Sequence, residues 1–258
     1  MLVNLIDRTW RLAGTGLAFA MIFGGGAVGA ITILPLIAAM RLSGRGGTRE
    51  AQYAIHWYFR FYIWLLQFLG VIAVDVQGQK ELSRIHGTLV VANHPTLLDV
   101  VLLMAQMPRA QCIVKHELWN SRYLGGVMRV AGYIPNNLEP AALVEACRRS
   151  IELGDNLIIF PEGTRTKPGE RPRFQRGFAN IALLTAAPIK LVTITCTPLT
   201  LTKGEPWWRI PPRRPHFRVQ VGDSLDTQEL LRRQERSLAA RALVRHLETY
   251  YGERLAVG

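Results

Sequence analysis

From Gly70 onward the chain alternates short β-branched runs with helical stretches, and that alternation restricts it to a sheet layered with helices. Val71–Val76, Thr88–Val91, Leu157–Phe160, Ile189–Thr195 and Phe217–Val221 read as strands, and Ile113-Val114 as a short apolar piece ending at Lys115. Glu139 to Leu153 reads as a helix, with Pro140 near its start and Gly154 just past its end; Leu143, Cys147 and Ile151 mark its buried stripe. Asp226 to Tyr250 reads as one closing amphipathic helix, with Asp226 and Glu229 at capping-box spacing. The expectation is an α/β fold: a mixed, largely parallel sheet flanked by helices.

The N-terminal part obeys different rules. From Leu12 to Met40 there is no charged residue, a length sufficient to cross a bilayer and too long for an ordinary signal peptide. Gly24-Gly25-Gly26, Gly29 and Pro35 also permit a kinked or re-entrant path. Arg8 and Arg11 precede it and Arg41, Arg45 and Arg49 follow, which leans toward a cytoplasmic C-terminal side. Residues 51–69 crowd Trp57, Tyr58, Phe59, Phe61, Tyr62 and Trp64 around His56, Arg60 and Gln67, a mixture suited to an interfacial helix, with a core helix as the alternative. The chain therefore divides into an N-terminal helical membrane anchor, residues 1–70, and a globular domain, residues 71–258, at a cytoplasmic (inner) membrane.

Charge narrows the partners. With 31 Lys+Arg against 19 Asp+Glu the net charge is +12, and 49% of residues are hydrophobic. A basic protein of this kind meets nucleic acid, an anionic membrane surface or a phosphorylated substrate. No zinc finger, GxxxxGK[ST] loop or aromatic RNA-binding signature is present, which argues against nucleic acid. Cys112, Cys147 and Cys196 lie in apolar contexts without CxxC spacing and read as small core residues, not as a disulfide frame or metal site.

Three loops at strand ends hold the residues that could carry chemistry. The first is Asn93-His94-Pro95-Thr96-Leu97-Leu98-Asp99. Pro95 suits the first position of a helix, leaving His94 just outside it and Asp99 within reach. A carboxylate on one ring nitrogen would orient the imidazole and leave the other free as a base. Alone, the pair fits a structural histidine at a helix start better than a catalytic one. The second loop begins at Lys115 and includes Glu117, Trp119 and Gly125-Gly126. The third is Phe160-Pro161-Glu162-Gly163-Thr164-Arg165-Thr166, where Arg165 suits bidentate contact with a phosphate. A metal site on His94, Asp99, His116 and Glu117 lacks paired-ligand spacing. Downstream, Trp207 to Pro215 pairs two tryptophans with three arginines, which fits a membrane interface and a core-packed loop equally.

Taken in order, these residues resemble the glycerolipid acyltransferases, most closely the lysophosphatidic acid (1-acylglycerol-3-phosphate) acyltransferase family. Asn93, His94 and Asp99 match its NHxSxxD motif, with Thr96 for Ser. Phe160 to Arg165 match FPEGTRS, with Thr166 for the final Ser. Lys115-His116-Glu117-Leu118 resembles its KxEL element, and Pro188 to Ile194 its proline-containing fourth motif. The resemblance covers roughly Val71 to Val221 and implies a glycerol-phosphate-acyltransferase-like fold with a two-helix N-terminal anchor.

What the resemblance implies is acyl transfer from acyl-CoA or acyl-carrier protein to a hydroxyl of a lysophospholipid, with 1-acylglycerol-3-phosphate giving phosphatidic acid. His94 is then the base and Asp99 its partner. Lys115, Glu162, Gly163, Thr164 and Arg165 bind substrate, Asn93, Thr96, Phe160 and Pro161 support the motifs, and neither a metal nor a cofactor is needed. One departure stands out: Ala131 to Asn137 keeps the second motif's leading glycine but has Asn136-Asn137 where the family carries an arginine. Another lysolipid, or a lipid of secondary metabolism, therefore stays open as acceptor. So do a hydrolase or transacylase using the same base, and a non-catalytic lipid-binding module.

Overall fold

The computed structural model describes residues 6–22, 24, 47–170, 172–233 and 235–256. The helices are α1 (residues 6–22), α2 (Thr48–Phe68), α3 (Gln79–Leu82), α4 (Asp99–Met104), α5 (His116–Trp119), α6 (Gly125–Val130), α7 (Pro140–Glu152), α8 (Arg176–Thr185), α9 (Thr227–Arg233) and α10 (Arg236–Ala256). The strands are β1 (Ala73–Gln77), β2 (Leu89–Ala92), β3 (Ala110–Val114), β4 (Ile134–Pro135), β5 (Asn156–Ile159), β6 (Ile189–Thr197) and β7 (His216–Leu225). They form one seven-stranded sheet in the order β1-β7-β6-β2-β5-β3-β4. Only β6 and β7 pair antiparallel; every other neighbouring pair is parallel. The expected mixed, largely parallel sheet is what the chain builds.

The central strands read as continuous apolar runs because helices cover both faces. Every residue of β2 and β5 is buried. Successive side chains point to opposite faces, so Val90, Ile158 and Val192 join one core with α2 and α4. Leu89, Val91, Leu157 and Leu191 join a second core with α7, α8 and α10. Cys112, Cys147 and Cys196 are free thiols buried in these cores, and desolvation pushes each up to about 12.

Two expectations need correction. The helix after β2 does not begin at Pro95. Residues 94–98 are irregular and α4 starts at Asp99, because the Asp99 carboxylate accepts from the Thr96 N–H (2.8 Å) and the Thr96 hydroxyl (2.6 Å), closing a turn ahead of the helix. The closing helix is two helices. Thr227 pins α9 by donating from its hydroxyl to the Ala187 carbonyl (2.9 Å), while α10 sinks a separate stripe of Ala239, Leu243, Leu247 and Tyr251 into the second core.

The α2 helix has a buried side and an exposed one. Ala51, Gln52, His56, Tyr62, Ile63 and Leu66 are buried in the first core. The opposite side presents Tyr53, Trp57, Phe61, Trp64 and Phe68 to the exterior, an exposed aromatic stripe in which Phe61, Trp64 and Phe68 stack in sequence. Among the described residues no helix is long and apolar enough to cross a membrane. Residues 23 and 25–40 of the uncharged segment lie outside the described residues. Trp207 to Pro215 folds onto α1. The buried Arg11 guanidinium donates to the carbonyls of Pro211 (2.9 Å), Pro212 (3.2 Å) and Arg213 (3.1 Å), and Trp207 packs on Phe19 while Trp208 stays exposed.

Candidate active site

The loops after β2, β3 and β5 leave the same edge of the sheet, the carboxyl ends of parallel strands, where open α/β folds build their sites. The loop after β2 is the best fixed. Asn93 prolongs the ladder with its side chain: its amide donates to the Ile194 carbonyl (2.8 Å) and its Oδ1 accepts from the Ile194 N–H (2.7 Å). An amide side chain offers the same donor and acceptor as a peptide, so β2 stays bonded to β6 one residue past its end.

His94 follows, and almost every group it has is held. Its N–H donates to Glu162 Oε1 (2.8 Å), and its carbonyl accepts from the Thr166 N–H (3.0 Å). Its ring lies on Phe160 with centroids 4.1 Å apart and planes 24° apart. Its Nδ1 meets Asp99 Oδ2 at 2.7 Å. Among the described residues Nε2 has no partner. The expected His–Asp pair is therefore formed, and Phe160, Glu162 and Thr166 of the third loop act as its cradle.

Asp99 has no exposed surface. Burial pushes its carboxyl above the usual carboxylate range, while the His94 ring and the two Thr96 donors pull it back. Glu162 is buried as well, and desolvation raises it; the Thr166 hydroxyl and the His94 N–H work against that, while the Asp99 charge adds to it. A carboxylate on Nδ1 and an open Nε2 make a base, with the charge it gains stabilised from behind.

The other candidates divide. Pro161 is buried and its carbonyl accepts from the Gln175 N–H (2.8 Å). Gly163 takes φ +68°, a left-handed turn that glycine adopts without strain, and with Thr164 it is exposed. Arg165 donates from one terminal nitrogen to the carbonyls of Leu201 (2.9 Å) and Thr202 (3.0 Å), so one edge of the guanidinium is anchored on protein. Lys115 is exposed at the end of β3, immediately before α5. Asn136, standing where the second motif lacks a cation, accepts from the His116 N–H (3.0 Å) through Oδ1 and donates its own N–H to the Val114 carbonyl (2.9 Å). It ties β4 to the Lys115 loop. Among the described residues no group of three or more His, Cys, Asp or Glu is placed to hold a metal.

Sequence reasoning missed Tyr251. Its hydroxyl lies 2.7 Å from the Val91 carbonyl and 3.1 Å from the Val192 carbonyl, bracing β2 against β6 just below His94. The available signal was a phenol on the apolar stripe of the last helix, where a buried hydroxyl needs a partner.

Comparison with known proteins places this arrangement. An acyltransferase family model matches residues 73–197. The chain is 30% identical over 135 residues to the chloroplastic 1-acyl-sn-glycerol-3-phosphate acyltransferase BAT2 of Brassica napus, covering 50% of this chain and 39% of that protein. It is 38% identical over 88 residues to a 1-acyl-sn-glycerol-3-phosphate acyltransferase of Helicobacter pylori, covering 32% and 37%. With the human beta form it shares 27% over 165 residues, covering 61% and 56%. The chain thus spans well under two thirds of the curated relatives it matches. The crystal structure of the 1-acyl-sn-glycerophosphate acyltransferase PlsC from Thermotoga maritima superposes with a TM-score of 0.68 over 96% of both chains at 19% identity, a likeness of fold.

Proposed function

We propose, from the match of residues 73–197 to an acyltransferase family model, that this chain transfers a fatty acyl group from a thioester donor to a hydroxyl of a lysophospholipid. The acceptor we assign is 1-acylglycerol-3-phosphate, giving phosphatidic acid. The donor is acyl-CoA or acyl-carrier protein. The observation that carries this reading is the 2.7 Å contact between His94 Nδ1 and a fully buried Asp99, with Nε2 left open.

In the reaction Nε2 of His94 takes the proton from the acceptor hydroxyl as that oxygen attacks the thioester carbonyl. The ring becomes cationic, and Asp99 stabilises it through Nδ1. The proton then leaves on the thiolate, so the base is regenerated without a metal or a redox partner. Glu162 and Thr166 act through the His94 backbone. Arg165, anchored by one terminal nitrogen, presents the rest of its guanidinium to the acceptor phosphate, and Lys115 supplies a second cation from the neighbouring loop. His94→Ala tests the assignment: acyl transfer should fall by about 10²–10⁴. A variant that stays within about tenfold of the parent overturns it.

Asn136 supports a second reading of the acceptor. It is occupied in tying two loops together, so a phosphate meets fewer cations than the family's second motif provides. A panel of purified lysolipids separates the two, because turnover highest on an uncharged or zwitterionic acceptor would replace 1-acylglycerol-3-phosphate.

We also assign membrane contact, at a cytoplasmic membrane, to the exposed aromatic stripe of α2 together with Trp10 and Leu17 of α1. Replacing Trp57 and Trp64 with Ser should abolish sedimentation with anionic vesicles. Undiminished binding would move the contact elsewhere.

A further inference from the structure

On the face of the sheet opposite the aromatic stripe, α8 and α10 border a cavity of about 450 Å³ lined by Arg176, Leu238, Arg241, Val244 and Arg245. Arg241 and Arg245 stand one turn apart on α10, and Arg176 opens α8. No carboxylate lines the cavity, and among the described residues none of the three guanidiniums has an acidic partner. Five other arginines are neutralised by carboxylates: Arg148 and Arg149 by Glu145, Arg209 by Glu205, Arg218 by Asp75 and Arg254 by Asp223. Three unneutralised cations around one concavity repel one another, and an anion of several charges removes that cost.

The cavity is connected to the site. Arg245 also lines a groove of about 1550 Å³ that runs beside α10 to Asn93, Pro95 and Glu162, the neighbours and the backbone partner of His94. Along α10 the axis advances by about 15 Å from Arg241 to Tyr251, whose hydroxyl reaches Val91 just before His94. That is a span for an extended arm with an anionic head at one end and a reacting carbonyl at the other. A lipid headgroup is the wrong occupant, because α2 and its stripe belong to the other face. A water-soluble anion fits the geometry.

We propose that Arg176, Arg241 and Arg245 bind the phosphorylated nucleotide of an acyl-CoA donor, with its pantetheine arm laid along the α10 groove toward His94. This rests on the acyl-transfer reading and commits it to a nucleotide-bearing donor: a cavity of this size takes a small ligand, and arginine forks match phosphate oxygens bidentately. The arginines bind and orient; they perform no chemistry.

The test is a triple variant, Arg176→Gln, Arg241→Gln and Arg245→Gln, compared with the parent in two measurements. In calorimetric titration with CoA, without turnover, the parent should bind and the variant should bind about tenfold more weakly or worse. In turnover, the variant's KM for acyl-CoA should rise by a similar factor, judged against transfer from acyl-pantetheine, which carries no nucleotide. Adenosine 3′,5′-bisphosphate should compete with acyl-CoA in the parent. Equal CoA binding by parent and variant overturns the proposal, and so does equal loss with both donors. A defect confined to acyl-carrier protein overturns it too, and gives the patch to an acidic protein. Absence of transfer in the parent, with the difference in CoA binding intact, sinks the acyl-transfer reading while upholding the nucleotide site.

Discussion

The sheet buries a carboxylate at each of its two ends, and the two are held in different ways. At the amino ends of β3 and β5, Asp155 accepts from Arg109 (3.0 and 2.7 Å), from Gln111 (2.7 Å) and from Gln52 of α2 (3.2 Å). Its partners are a permanent cation and two amides, none of which can surrender a proton near neutrality. That cluster is a clasp between α2 and the sheet. At the carboxyl ends Asp99 meets an imidazole and a threonine, and the imidazole keeps one nitrogen open. Burial of a carboxylate does not mark a site in this fold. A titratable partner with a free nitrogen is what sets the candidate site apart.

The largest effects should separate the two ends cleanly. His94→Ala, with its loss of about 10²–10⁴ in turnover, should leave thermal and urea unfolding close to the parent. Arg109→Met does the reverse. It leaves Asp155 buried without its cation, which costs about 3–5 kcal/mol in a buried pair. Denaturant unfolding should report a loss toward the lower end of that range, because Gln52 and Gln111 still donate. Turnover per folded molecule should hold. Destabilisation by His94→Ala, or inactivation of folded Arg109→Met, would erase the distinction.

The two ends differ in how far the sequence signals them. Asn93, His94 and Asp99 fall within one short loop, so their meeting depended on local geometry. The Asp155 clasp joins Gln52 of α2, Arg109 and Gln111 at the start of β3, and Asp155 just before β5, and no spacing announces it. The parallel strands were legible because burial on both faces makes β2 and β5 unbroken apolar runs. The start of α4 was not, because Pro95 satisfies the rule for a first helical position while Thr96 and Asp99 close a different turn. The break between α9 and α10 was not legible either, because the sequence from Asp226 to Tyr251 holds no proline or glycine to announce it. Glu162 was expected on substrate, and its bond to the His94 N–H is a contact between loops 68 residues apart that only the fold creates.

That bond supplies the next test. Glu162→Ala leaves the His94 N–H without its acceptor and frees the loop that carries the base. A small displacement of a reacting group costs up to about a hundredfold, so kcat should fall by roughly ten- to a hundredfold with the acceptor KM little changed. Glu162→Gln keeps an oxygen for the N–H and should recover most of kcat. A rise in acceptor KM on Glu162→Ala, with kcat preserved, would return Glu162 to the substrate.

The smallest effect comes from asking whether a clasp can also bind. Arg165 resembles Arg109 in donating to fixed protein oxygens, here the carbonyls of Leu201 and Thr202. It differs in having its remaining nitrogens unpartnered among the described residues. Arg165→Lys retains the charge and loses the fork that grips two carbonyls while facing a phosphate. The acceptor KM should rise by roughly three- to tenfold, the donor KM should stay, and the effect should vanish on an acceptor without phosphate. Equal effects on charged and uncharged acceptors would make Arg165 a clasp like Arg109, and the acceptor's phosphate would then fall to Lys115 alone.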